Sequence, residues 1–283
     1  MSAILNLFKL RIGVAIAIAA LAGLMVEAGP RPGIWQIVVL TLAVLLSSAA
    51  AGAFNQYVER DLDAKMARTR KRPFVTGRLI HGPRWLWLIG TLTVLSVAGA
   101  ALAANIVASI HVFLGAFVYG VVYTVWLKRR TWLNIVIGGL AGSFAVLAGA
   151  AAVMPVPGPE ALALAAVLFL WTPPHFWSLA IAYREDYASA GVPMLPVVVG
   201  DARAARAVLI GAWMLVLASL IPAMFRLGPV YLVAATAGGA WFLLKCHALV
   251  RNPGRETALA SFFASLVQLC AVLFGAMLDV SVG

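Results

Sequence analysis

Of the 283 residues, 63% are hydrophobic and 11% charged, against a formal net charge of +11. Ordinary globular domains carry about 25% charged residues, so lipid is the solvent for most of this chain and a soluble domain with a hydrophobic core is excluded. The positive charge could mark a nucleic-acid surface, but its placement gives it another meaning.

Nine apolar runs follow one another at 12–28, 35–57, 85–103, 106–127, 132–153, 160–182, 207–225, 229–249 and 258–279. Each approaches the roughly 20 residues a helix needs to cross the hydrocarbon layer. A cleavable leader is the rival reading of the first run. No convincing small-residue cleavage site follows it, and eight similar runs come after it, so it reads as a span. Backbone groups in lipid must bond within their own segment, and no alternating barrel pattern occurs. The expectation is an all-α, polytopic transmembrane bundle of nine spans around a central cavity, a single domain over 1–283.

With the N-terminus placed inside, every Lys and Arg except Arg31 and Arg226 falls on the inner side of these spans. That is the positive-inside bias. It sets an N-in, C-out topology, leaves nucleic acid no role, and turns the basic loops toward anionic lipid. The two cysteines, Cys246 and Cys270, have no metal-ligand spacing. The Ala-rich, loop-poor composition points to a bacterial inner-membrane protein.

Only the inner side has sizeable loops, so chemistry is sought there. After the second run the chain reads Asn55, Glu59, Asp63, then Lys65, Arg68, Arg70, Lys71 and Arg72. Residues four apart share a helix face, which projects Asn55, Glu59 and Asp63 together toward the bundle. Adjacent carboxylates are relieved by a hard cation; Mg²⁺ is usually held by one or two carboxylates plus substrate phosphates. The basic run would meet the remaining phosphate oxygens. The plain alternative is a solvated helix end anchoring the span at anionic lipid. A second acidic loop, Tyr183-Arg184-Glu185-Asp186-Tyr187, follows the sixth run on the same side, an even number of spans later. Two such clusters are expected to face each other across one cavity.

These residues resemble the UbiA-type intramembrane prenyltransferases, whose acidic motif Asn-x-x-x-Asp-x-x-x-Asp is matched by Asn55, Glu59 and Asp63, with Glu in the central place. Surrounding words resemble the heme farnesyltransferase branch: Asp61 to Pro73, Tyr123 to Arg129, Asn134 to Gly139, Trp171-Thr172-Pro173-Pro174-His175-Phe176-Trp177, and Gly191 to Pro196. The likeness runs up to Gly200; beyond it, helix number and hydrophobicity carry it. The second loop offers Glu185 and Asp186 between Tyr183 and Tyr187, where the wider family has several aspartates.

The resemblance implies an Mg²⁺-dependent enzyme that joins the farnesyl group of farnesyl diphosphate to a vinyl group of heme b, releasing diphosphate and giving heme O. The alternative within the family is prenylation of an aromatic quinone precursor. It implies Asn55, Glu59, Asp63 and Asp186 as catalytic metal ligands, with Arg11, Lys65, Arg68, Arg72, Lys128 and Arg184 on phosphate. Tyr123, Tyr183 and Tyr187 either orient substrate through their ring faces or belong to the interfacial belt. His175, after two prolines expected to distort its helix, is either a heme-iron ligand or a hydrogen-bonded core residue. Lys9 reads as an interface residue whose stem snorkels, and Arg70, Lys71 and Arg129 read equally well as lipid anchors. Gly138, Gly139 and Gly142 are expected to permit close helix packing. From other classes, a transporter would place its site near the midplane, and a structural protein would tolerate neutral replacements at Glu59 and Asp186. The oligomeric state is left open.

Overall fold

The computed structural model describes residues 3–283, and no strand occurs among them. Nine helices make the bundle: α1 (Leu10–Val26), α2 (Ile34–Val58), α3 (Arg84–Ala103), α4 (Ile106–Leu127), α5 (Asn134–Ala151), α6 (Pro159–Ala182), α7 (Asp201–Met224), α8 (Pro229–Arg251) and α9 (Arg255–Val282). Eight are long and apolar enough to cross a membrane, while α1 is shorter at 17 residues. The nine apolar runs match these helices, and the ends differ most at α7, which begins at Asp201 instead of 207 because its first turns are charged and rise out of the apolar layer.

Each helix packs on its successor, and α1 also packs on α5 and α9, drawing the chain into a closed bundle. Small residues permit this. A Cβ at Gly149 would collide with the Ala20 carbonyl, and one at Gly23 with the Val146 carbonyl, so α1 and α5 touch backbone to backbone. Polar side chains close the helix ends. Asn105 accepts from the Ala108 amide at 2.9 Å and donates to the Ala151 carbonyl at 2.6 Å, which starts α4 and ties it to the end of α5. Asp279 of α9 accepts from the Gly228 and Tyr231 amides, putting a carboxylate at the positive end of α8.

Two irregularities shape the face that carries the long loops. The second half of α4, Val118–Leu127, is a π-helix, a form that is rare and frequent at functional sites. Helix α2 ends at Glu59, and the chain resumes as the short helix Arg60–Lys65. The register survives the break, because Glu59 N donates to Asn55 O at 3.0 Å and Asp63 N to Glu59 O at 2.8 Å. Helix α6 runs continuously from Pro159 to Ala182 through Pro173 and Pro174.

Candidate active site

A cavity of about 890 Å³ opens at the loop-bearing face, within the roughly 300–1,000 Å³ of small-molecule pockets. Leu5, Asn6 and Lys9 to Ile12 form one wall; Asn55 and Gln56 of α2, Tyr119 and Tyr123 of α4 with Lys128 at its end, and Thr172, Phe176 and Leu179 of α6 form others.

Asn55 lines this cavity, while Glu59 and Asp63 lie behind its lining residues Lys128 and Arg72; all three are at 2% exposure or less, and the two carboxylates are too buried to remain charged without partners. Each has a cation. Lys9 Nζ donates to Asn55 Oδ1 at 2.8 Å and to the Tyr119 hydroxyl at 3.1 Å. Lys128 Nζ lies 2.6 Å from Glu59 Oε2. Arg72 Nη1 lies 2.7 Å from both oxygens of Asp63. Glu59 Oε1 is buried with no partner, leaving an acceptor free. Burial is the largest influence on Asp63 and raises its carboxyl above the ordinary value, against the Arg72 guanidinium. Lys9 is only partly covered at its surface, yet its ammonium lies deep among neighbouring atoms. That burial, with the Arg72 charge nearby, lowers it to about 7.

The π segment sets the α4 side of the site. Nine residues separate Tyr119 from Lys128, about two and a half turns of an α-helix, which would put them on opposite faces. Here Lys128 N donates to Tyr123 O, five residues back, at 2.9 Å. The wider turn brings Tyr119, Tyr123 and Lys128 to one wall. The two tyrosine rings stack at 5.6 Å, and the Lys128 ammonium sits 5.7 Å from the Tyr123 centroid.

A family model described as the UbiA prenyltransferase family matches residues 16–267. The chain belongs to that family. It is 59% identical over 274 residues to "Protoheme IX farnesyltransferase 2" of Paramagnetospirillum magneticum, covering 97% of this chain and 95% of that protein. The fold resembles that of a chain described under digeranylgeranylglyceryl phosphate synthase, with a TM-score of 0.78, 19% identity, and 97% and 98% of the two chains covered. It also resembles a UbiA homolog from Archaeoglobus fulgidus bound to DMAPP and Mg²⁺, with a TM-score of 0.74, 18% identity, and 96% and 99% covered.

Within this UbiA prenyltransferase, Asn55, Arg11, Arg68, Arg72, Tyr123, Lys128 and Tyr187 line the cavity, as does Lys71, which the sequence left among the lipid anchors. Asp186 meets the first loop differently from expectation. Its carboxylate accepts from the Ala67 and Arg68 amides at 3.2 and 3.3 Å, so what it faces is the backbone that follows the acidic row. Arg68 reaches the Tyr187 hydroxyl at 3.4 Å, and Tyr183 lies between the guanidinium groups of Arg68 and Arg255, 5.6 and 5.5 Å from its ring. Among the described residues, no three His, Cys, Asp or Glu side chains converge. Any metal here would therefore take Asn55 and substrate oxygens as well as carboxylates.

Three expectations are corrected. His175 does not line the cavity: Thr172, Phe176 and Leu179 form the cavity face of α6, and His175, flanking that face, is packed against α9. Its Nδ1 is 2.7 Å from Ser265 Oγ of α9, and its ring stacks between Trp171 and Phe262 at 4.1 and 4.4 Å. It is the packed, hydrogen-bonded core histidine. Lys65 and Arg184 do not line the cavity, the latter pairing instead with Asp201 at 3.4 Å on the surface. Lys9 is no snorkelling anchor. It is the one non-glycine at positive φ among the described residues, at 47°, and its side chain turns into the cavity. Sequence reasoning also missed Gln56, which donates to the Asn6 and Leu7 carbonyls at 2.7 and 3.1 Å and pins the N-terminal wall. Tyr119, four residues before Tyr123, was within reach of the helical spacing rule.

Proposed function

We propose that this chain is a heme farnesyltransferase. It transfers the farnesyl group of farnesyl diphosphate to a vinyl group of heme b, releasing diphosphate and giving heme O. The observation that supports diphosphate chemistry is the buried row of Asn55, Glu59 and Asp63, answered by Lys9, Lys128 and Arg72 around one cavity. The choice of acceptor follows the 59% identity to the protein named protoheme IX farnesyltransferase 2.

Mg²⁺ fits the donor set. The amide and carboxylate oxygens are hard ligands, and Glu59 Oε1 is a buried acceptor with no partner. We assign the ion to Asn55, Glu59 and Asp63, with Asp186 holding the loop above them. When bound, Mg²⁺ supplies neutralising charge to the leaving pyrophosphate.

In the reaction the allylic C–O bond breaks and pyrophosphate departs with the electron pair. The terminal vinyl carbon bonds to C1 of the farnesyl group, and the resulting cation beside the pyrrole takes hydroxide from water, which gives up a proton. Lys9, Arg68, Arg72 and Lys128 place positive charge where the leaving group becomes more negative, the electrostatic contribution that preorganised sites make best. In the substrate-free protein Arg72 and Lys128 neutralise Asp63 and Glu59; on substrate binding these two cations would turn to phosphate and leave the carboxylates free to hold the metal. Tyr119 and Tyr123 present ring faces to the allylic cation, and the apolar α6 wall of Phe176 and Leu179 shields it from water. The loop-bearing face lies in the cytoplasm with an N-in, C-out topology, as the basic residues require.

Purified protein supplied with farnesyl diphosphate, Mg²⁺, heme b and an aromatic acid acceptor together is expected to yield heme O alone by mass analysis. Prenylation of the aromatic ring with heme b untouched would overturn the assignment.

A further inference from the structure

A second hollow, about 560 Å³, lies at the loop-bearing end of α8 and α9, walled by Leu244, His247, Ala248, Arg251, Asn252 and Thr257. It shares no lining residue with the cavity described above. Leu244, His247, Ala248 and Arg251 fall at i, i+3, i+4 and i+7, one face of α8. Read toward the charged end, that face offers an apolar stretch, an imidazole, and then a guanidinium in the last turn.

The imidazole is poised in one tautomer. His247 Nδ1 lies 2.8 Å from the Leu243 carbonyl, and a carbonyl only accepts, so Nδ1 carries the proton. In the neutral ring Nε2 is then the nitrogen left to bind. A ring N–H given to a backbone carbonyl is the usual support for a histidine whose other nitrogen binds a metal. Trp213 of α7 stands edge-on to the ring, with centroids 6.3 Å apart and planes at 89°.

The ligand that matches this order has a metal at the centre of a flat apolar body and anionic groups along one edge. We propose that His247 and Arg251 form a docking site for the porphyrin acceptor, with Nε2 on the iron, Leu244 and Ala248 against the macrocycle, and Arg251 on its carboxylates. This rests on heme b being the acceptor. The carboxylate edge then lies at the charged face and the opposite edge points into the apolar layer, the orientation an amphipathic molecule takes in a bilayer. No bond is made or broken here; the site holds the acceptor outside the reaction cavity.

The test is optical titration of heme b into the full-length protein in detergent, without farnesyl diphosphate. Wild type and His175→Ala are expected to give the Soret band of imidazole-ligated heme. His247→Ala is expected to lose that band and bind about tenfold more weakly or worse, and added imidazole is expected to restore the band. Arg251→Gln keeps the band at reduced affinity. An unchanged band in His247→Ala, or its loss in His175→Ala, would overturn the proposal. Heme held by His247 without any heme O on adding farnesyl diphosphate and Mg²⁺ would instead overturn the proposed reaction.

Discussion

Lys128 and Glu59, 69 residues apart in the chain, meet at 2.6 Å with 10% and 1% of their side chains exposed. Two charges out of water at such a separation stabilise each other only as a pair. Replacing Lys128 by Met strands the Glu59 charge beside an already unpartnered Oε1. The expected cost is about 3–5 kcal/mol of stability, read as a lower thermal midpoint in detergent. The double variant Glu59→Gln with Lys128→Met should recover most of that stability while remaining inactive.

Gly138 faces the Tyr123 ring, and a Cβ there would lie 3.0 Å from Cδ2. Gly138→Ala must move the ring, and with it the cation–π contact to Lys128. The variant should fold and lose on the order of tenfold in kcat/KM, checked by steady-state assay beside a thermal melt.

The π segment makes a more particular prediction. Deleting Val122 removes one residue from the wide turns and returns the end of α4 toward an α register, in which the remaining eight residues make about 2.2 turns and Lys128 lies roughly 80° round the helix from Tyr119. Affinity for an unreactive farnesyl diphosphate analogue should fall at least about tenfold, the scale of one charged contact, with the helical content by circular dichroism unchanged.

On the opposite face, the Glu27 carboxylate accepts from the Gly158 amide at 2.9 and 3.1 Å and is 2% exposed. Burial, and then the Glu160 charge, raise its pKa above the ordinary value of 4.5. A carboxyl raised on folding contributes stability at pH below its unfolded value, and that contribution is lost as pH rises through the folded value. The thermal midpoint of wild type relative to Glu27→Gln should therefore fall on going from below pH 4.5 upward. A difference independent of pH would contradict this.

What the sequence disclosed follows from what lipid enforces. Apolar length marks each span, and the i, i+4 spacing of Asn55, Glu59 and Asp63 survives the break at Glu59 because the amide bonds across it are kept. Side-chain facing inside α6 was less legible. That helix buries residues on both sides, so its apolar pattern does not tell the cavity face of Thr172 and Phe176 from the packed face of His175. Lys9 was misread because its role depends on a left-handed backbone at a residue type that seldom adopts one. Lys128 enters the cavity through π turns, which leave no periodic signature in an all-apolar stretch.

We propose above all that Asn55, Glu59 and Asp63 grip the diphosphate through a divalent ion. Calorimetric binding of an unreactive farnesyl diphosphate analogue, with and without Mg²⁺, tests it for wild type, Glu59→Gln and Asp63→Asn. Tight, Mg²⁺-dependent binding in the wild type that both variants lose is the predicted result. Equal binding by all three, or wild-type binding indifferent to Mg²⁺, would contradict it.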